Sequence, residues 1–433
     1  MESILNVEKQ EEKKEKLWNL DFFLLFQGQL VSRLGDVIFE IALGFWVLAV
    51  TGSTALMGTL MAVTIVPRVL IAPFAGVIVD RRDRKCLIVI MDIIRGVVII
   101  FIGIAAFNGF IKIWMLFVAQ FIIGICDAFF HPAVSSAVPD IVPKSRLMNA
   151  NSIFGIIQNG SMVIGSTIGG IVFQIFGAPL MFLFNGFSFL FSGILQFFMK
   201  IPKIVRSGED KHFFKDMKEG YQFIWQFKGL RYLLLLLSLT SFIICIVMVL
   251  LIPLFHQMEI LGPARYGVFM ACLAGGFLSG MLVTSIFNIP PKKRMLLFMI
   301  SVIISNLSFM RSTLAENFFV MLAFIFIGGV FTSIIPIMLF STIQMIVPQD
   351  MRGKVFALIG MISESLMPLG MVLGGILAEF IPIRSILFYC FFIQLLVYIP
   401  FGFVTYFRKF VNFDPDKDVI ENMTVNEQAN HLV

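Results

Sequence analysis

The sequence predicts an all-α membrane protein with twelve transmembrane helices in two pseudo-symmetric six-helix bundles. Three observations carry that expectation. The 433 residues are 58% hydrophobic and only 14% charged, with 50 Phe, 25 Met and a mean hydropathy of +0.94. Apolar runs of about 20 residues, enough to cross a bilayer as helix, recur along the chain. The two halves also repeat. At a fixed offset, Val142-Pro143 falls on Val347-Pro348, GSTIGGIVFQIFG (165–177) on GMVLGGILAEFIP (370–382), and Gly124 on Gly329. The alternating pattern of a transmembrane β-barrel is missing.

The elements follow in order. Residues 1–19 form a charged, polar N-terminal tail, unlike a signal peptide. Six spans over 20–199 make the first bundle: 20–50, 54–80, 86–107, 112–140, 147–176 and 178–199, with Gly52 and Gly177 marking two of the turns. Residues 200–231 are a charged central loop, in which KDMKEGYQFIWQF has the pattern of an amphipathic helix lying along a membrane surface. Six further spans over 232–407 make the second bundle: 232–257, 264–289, 295–313, 316–347, 354–382 and 385–407, with Pro290 and Pro382 at boundaries. Residues 408–433 are a polar C-terminal tail.

An even number of spans puts both termini on one side, and the cations choose it. Of the 33 Lys and Arg, 26 fall in the two tails, the central loop and the turns on the same side as them. The opposite turns hold only Lys112, Arg265, Arg311 and Arg384. Both termini are therefore expected in the cytoplasm, and the formal charge of +6 reflects this bias and says nothing of nucleic acid. The five Cys are isolated, giving neither a metal-ligand spacing nor a disulfide framework. No GxxxxGK[ST] loop is present for ATP, and no Ser/His/Asp or zinc constellation suggests an enzyme. No cofactor and no metal are expected, and the chain is expected to act as a monomer.

Ionisable residues near the bilayer centre are costly, about 2.5–3.5 kcal/mol on insertion scales, so each is a functional candidate. Asp36 and Glu40 lie four apart on one face of the first helix, with Arg33 one turn before Asp36. Arg68, Asp127 and Glu364 lie near the middle of helices two, four and eleven. Four acids against two bases leave an excess of negative charge, which suits a site alternating between protons and a cationic substrate. The expected roles are proton or cation coupling for Glu40, Glu364 and Asp127, and charge balance for Asp36, Arg33 and Arg68. Asp92 and Arg95, one turn into helix three, are expected to brace the turn before them. His131, next to Pro132, is expected to be a packed, hydrogen-bonded residue.

That turn reads GVIVDRRDRK (76–85). Its cations fit a cytoplasmic hairpin, but its two aspartates need a further reason. The stretch resembles the signature loop between helices two and three of the major facilitator superfamily, through Gly76, Asp80, Arg81, Arg84 and Lys85. The SMVIGSTIGG stretch is similar to that superfamily's helix-five antiporter signature through Gly165, Gly169 and Gly170, with Ser166 where the signature has Pro and Ser161 where it has its first Gly. VDRRDRK (79–85), DIIRG (92–96), AFFHPAVSSAVPDIVP (128–143) and RGKVFALIGMISESLMPLG (352–370) resemble the bacterial macrolide-efflux and enterobactin-exporter branch.

The resemblance implies secondary transport by alternating access in the bacterial cytoplasmic membrane. The substrate would sit near the midplane between the halves. The loop would act as a cytoplasmic latch, its Asp80 meeting the positive N-terminus of helix eleven. The expected activity is proton-coupled antiport of amphipathic drugs such as macrolides, conferring drug resistance. The partners are then a small-molecule substrate, protons and the lipid bilayer. Two alternatives stand beside it: export of a siderophore or other anionic metabolite held by Arg33 and Arg68, and a non-transporting membrane sensor.

Overall fold

The computed structural model describes residues 17–143, 146–201, 213–258, 262–286 and 289–414. The described residues are helical almost throughout, and no strand occurs among them. The first helices are α1 (Leu20–Thr51), α2 (Thr54–Arg81), α3 (Arg84–Phe107), α4 (Ile113–Ile141) and α5 (Leu147–Phe197). Then come α6 (Phe213–Gln226), α7 (Lys228–His256), α8 (Gly262–Ile286), α9 (Pro291–Leu314) and α10 (Phe318–Ile346). The last are α11 (Gln349–Ser365), α12 (Met367–Phe380), α13 (Ile383–Phe403) and α14 (Thr405–Val411).

Their ends follow from local chemistry. Asn19, Ser53, Asp83 and Asn317 cap α1, α2, α3 and α10 with side-chain oxygens that accept a free backbone N–H. Gly52 closes α1 in the left-handed region, at φ 65°. Helices are what lipid demands, because hydrocarbon offers no partner to an open backbone N–H or C=O.

Among the described residues, eleven helical runs are long and apolar enough to span. The longest, Asn149–Phe197, has 49 residues. Straight, it would measure about 70 Å, over twice the ~30 Å hydrocarbon core. Gly177 breaks it, at φ 70° and ψ 175°, a backbone conformation open to glycine alone. The run therefore makes two crossings, here α5a before Gly177 and α5b after it, and the crossings among the described residues number twelve. One expected span is interrupted. Residues 354–382 divide at Leu366 into α11 and α12, because Pro368 in the first turn of α12 cannot continue the hydrogen-bond ladder.

The chain forms two compact units: Met1–Glu209 with Phe255–Val268, and Asp210–Leu254 with Phe269–Val433. In the first, α1 and α3 pack on α5, and α2 and α3 on α4. In the second, α9 packs on α10 and α13, and α6 on α11. The repeat read in the sequence is a repeat of contacts. A Cβ on Gly165 would lie 2.9 Å from Val37, and one on Gly370 2.6 Å from the Phe242 carbonyl oxygen. A Cβ on Gly169 would meet Ile41 at 2.8 Å, and one on Gly374 would meet Ile246 at 3.2 Å. Val37 and Phe242, like Ile41 and Ile246, stand at the same offset as the glycines they face. Small residues let helices approach in lipid, where hydrophobic attraction between helices is absent. Outward faces are correspondingly apolar, as at Phe403, 83% exposed, and Phe380, 82% exposed.

Each unit has an apolar cluster at the end holding its basic turn. In the first it gathers Phe22, Leu25, Val79, Ile88, Phe130 and Met199. In the second it gathers Phe298 of α9 with Phe407 and Phe410 of α14 and Phe413 just beyond it. The α6 helix is the amphipathic stretch expected in the central loop. Gly220 lets it approach Leu358 and Lys354 of α11, and Glu219 forms an ion pair with Lys354.

Candidate functional site

The charged residues of the first unit meet at one level. The α1, α2, α3 and α4 ranges place Asp36, Arg68, Arg95 and Asp127 each at the middle of its helix. Four helices thus deliver one ionisable side chain apiece to the same depth. Arg95 was expected one turn into helix three, and it lies about three turns in. The helix begins at Arg84 and ends at Phe107, so Arg95 is central.

Arg95 is 3% exposed and pairs with two acids. One guanidinium nitrogen binds Asp127 Oδ1 at 2.7 Å, and another binds Asp92 Oδ1. Its flat face lies between the rings of Phe130 and Phe189, at 4.0 and 4.5 Å from their centroids. Cation–π contact of this kind is strongest when desolvated. Arg95 therefore ties α3 to α4 and packs on α5b. Asp92 is fully buried, whereas the Asp127 side chain is 16% exposed.

On α1, Arg33 and Asp36 stand 3.9 Å apart, both partly exposed. Glu40 is exposed, one turn further along. Asp127 and Arg33 lie within electrostatic reach of both Asp36 and Glu40, and Arg68 within reach of Glu40. His131, one turn beyond Asp127, is exposed on that same side of α4, where a packed histidine was expected. The centre of the first unit thus holds four acids, Asp36, Glu40, Asp92 and Asp127, against Arg33, Arg68 and Arg95. Asp92 and Arg95 add one charge of each sign, so the acid excess in this unit is smaller than expected only because Glu364 lies in the other one. Glu364 belongs to the second unit. It lies one residue before the end of α11, with Cys245 of α7 in its electrostatic neighbourhood.

The α2–α3 turn is held by contacts the sequence did not reveal. Asp83 caps α3, its Oδ1 accepting from Cys86 N at 3.2 Å. Arg84 pairs with Asp140 near the end of α4 and donates to the Ser136 carbonyl at 2.9 Å. Lys85 stands 5.1 Å from the Phe197 ring centroid at the end of α5b. The tie on the turn is Arg84–Asp140, while Asp92 and Arg95, expected to brace it, join Asp127 instead. A Cβ on Gly76 would meet nothing within 4 Å. The side chains of Asp80 and Arg81 lie outside the described residues.

On α5a, Gly165 and Gly169 seat the helix on α1. Gly170 faces another way, toward Phe255–Val268. A Cβ there would strike the Pro263 carbonyl, and one on Gly267 would press on Thr167 O. Tyr266 stacks its ring edge-on against both Phe45 and Phe255.

Twelve crossings, a contact-for-contact repeat and a charged centre in an apolar shell narrow the family, and residues 25–368 match the model of the Major Facilitator Superfamily. The chain belongs to that superfamily. As a major facilitator protein it is a multi-pass membrane transporter. Macrolide efflux protein A of Streptococcus pyogenes is 26% identical over 372 residues, covering 85% of this chain and 91% of that protein. The protein of that name from Enterococcus faecalis is 26% identical over 310 residues, 70% of this chain and 95% of its own. The multidrug efflux pump Tap of Mycobacterium bovis is 23% identical, covering 82% and 87%. Among solved structures, a bacterial homologue of the human lysosomal transporter Spinster, inward-facing and unoccupied, superposes with TM-score 0.66 at 14% identity, covering 91% of this chain and 97% of its own. The nucleoside transporter NupG gives 0.63 at 15% identity, covering 89% and 99%. At these identities the likeness is one of fold.

Proposed function

We propose that this major facilitator transporter exports amphipathic, cationic compounds in exchange for protons, with macrolide-like drugs as the first class to test. The observation that carries the reading is the acid excess at the centre of the first unit. Arg95 is already committed to Asp92 and Asp127, and Arg33 stands beside Asp36. The exposed Glu40 is left to exchange a proton for a cation. Glu364 of the second unit and Asp127 share that coupling role. Asp36, Arg33 and Arg68 balance charge.

The distribution of Lys and Arg supports a cytoplasmic position for both termini, with Asp80 serving as a latch on that side. The efflux proteins among the relatives support the outward direction. Export of an anionic metabolite is the weaker reading, because Arg33, Arg68 and Arg95 each have a carboxylate within electrostatic reach.

The test is uptake into inverted membrane vesicles with a compound panel and an imposed pH gradient. Macrolides or cationic dyes should accumulate only with the acid interior, and collapse of the gradient should release them. Accumulation of anions alone, or uptake indifferent to the gradient, would refute the reading.

A further inference from the structure

We propose that Asp92 is a second proton-binding carboxyl of this transporter, buried in the wall of the first unit, coupled to Asp127 through Arg95 and held when protonated by Ser192 and Gln196. The inference rests on the proton-coupled reading above but concerns a residue outside the exposed centre.

Asp92 makes poor sense as a plain ion-pair carboxylate. It is fully buried and shares its arginine with another acid. Its Oδ1 accepts from Arg95, and the Ser192 hydroxyl is within hydrogen-bonding reach of the carboxyl. The group facing Asp92 from α5b is the Ser192 hydroxyl. Gly193 also brings that helix close, since a Cβ there would lie 3.4 Å from Asp92 Cβ.

Ser192 is itself fully buried, and its oxygen accepts from Gln196 Nε2 at 2.8 Å. Gln196 is fully buried too, and its Oε1 has no partner. Gly28 of α1 makes room for the pair, because a Cβ there would lie 2.7 Å from Ser192 Oγ and 3.0 Å from Gln196 Nε2. Ordinary small-residue packing explains the close approach, but it does not explain a fully buried carboxyl that shares its arginine with a second acid and faces a hydroxyl.

A proton resolves this. Taken from water onto Asp92 Oδ2, it becomes a donor to Ser192 Oγ, and on release it returns to water while the Ser192 hydroxyl turns to donate to the carboxylate. Each state is satisfied, with Gln196 fixing the serine as a positioning residue. The charge also fits. Two carboxylates and one guanidinium carry one excess negative charge, and one proton removes it. Arg95 is clamped between Phe130 and Phe189, so the proton is the part free to change. The charged and titratable groups around the triad are Asp36, Glu40 and Arg33 on α1, Arg68 on α2, and Cys126 and His131 on α4. Through Asp127, loading of Asp92 would be felt at that centre.

Infrared difference spectroscopy of the purified full-length protein, titrated with pH, reads buried protonated carboxyls directly and needs no substrate. The wild type should show a carboxyl band that appears as pH falls, that Asp92→Asn abolishes and that Ser192→Ala shifts. Asp92→Asn that retains the band overturns the proposal, as does Ser192→Ala that leaves it unmoved. Should Asp92→Asn fail to fold, Ser192→Ala decides, since losing one hydroxyl leaves the helix packing intact. Ethidium uptake into inverted vesicles under a pH gradient separates the two claims. A titrating Asp92 band in a protein without gradient-driven uptake refutes the antiport reading alone, whereas gradient-driven uptake without an Asp92 band refutes this inference alone.

Discussion

Arg95 of α3 binds Asp127 of α4 at 2.7 Å while its other nitrogen holds Asp92, one turn back on its own helix. Two carboxylates and two phenyl rings thus fix a single guanidinium at the middle of the first unit.

Removing it should be costly. Arg95→Gln leaves a fully buried Asp92 and a largely buried Asp127 without their shared partner, and breaking a buried pair in this way costs about 3–5 kcal/mol. Thermal unfolding of the detergent-purified variant should show a marked fall in midpoint. Arg95→Lys should recover only part of it, because one ammonium cannot engage two carboxylates in the planar geometry of a guanidinium. A variant as stable as the wild type would mean the triad carries no structural role.

The neighbouring pair on α1 should behave differently. Arg33 and Asp36 are 3.9 Å apart, with side chains 29% and 24% exposed. Such partly solvated pairs contribute at most about 1 kcal/mol. Asp36→Asn should therefore express and fold, contrary to what burial of the pair would imply. Glu40→Gln should also fold, but lower gradient-driven accumulation at least tenfold while reducing downhill flux far less. A fully coupled Glu40→Gln protein would move the exchange role elsewhere.

The α2–α3 turn offers a double-mutant cycle. Arg84 and Asp140 have side chains 10% and 4% exposed, so their coupling should reach about 1–3 kcal/mol. Arg84→Ala and Asp140→Ala should each raise amide exchange at the start of α3, and the double variant should be little worse than either. Strict additivity would show that the pair does not anchor the turn.

Gly170 tests the packing of Phe255–Val268. Gly170→Val drives a side chain into the Pro263 carbonyl. Amide exchange over residues 262–268 should rise roughly tenfold, equivalent to about 1.4 kcal/mol of lost protection. Gly160→Val is the control, since a Cβ there meets nothing within 4 Å, and it should leave that segment unchanged. Equal exchange in both variants would remove the steric argument.

The sequence by itself determined the class, the number of crossings and the repeat. Bilayer thickness sets span length, and a glycine repeated at a fixed offset faces a partner repeated at the same offset, as Gly165–Val37 and Gly370–Phe242 do. Asp36, Glu40, Arg68 and Asp127 were legible because a charge inside an apolar run is costly wherever the run is read. Arg95 was within reach by the same reasoning, since it is central in its span, but its nearness to the basic turn drew it toward a bracing role.

What only the tertiary structure decided is partnership. Arg84 could have met any acid at that end of the bundle, and the crossing of α3 on α4 chose Asp140. Ser192 and Gln196 read as ordinary small and polar residues until α5b set them against Asp92 and Gly28. The physical reason is that desolvation acts locally on each helix and leaves its mark in one stretch of sequence. An ion pair or hydrogen bond joins side chains far apart in the chain, and only the packing of one helix against another brings them within reach.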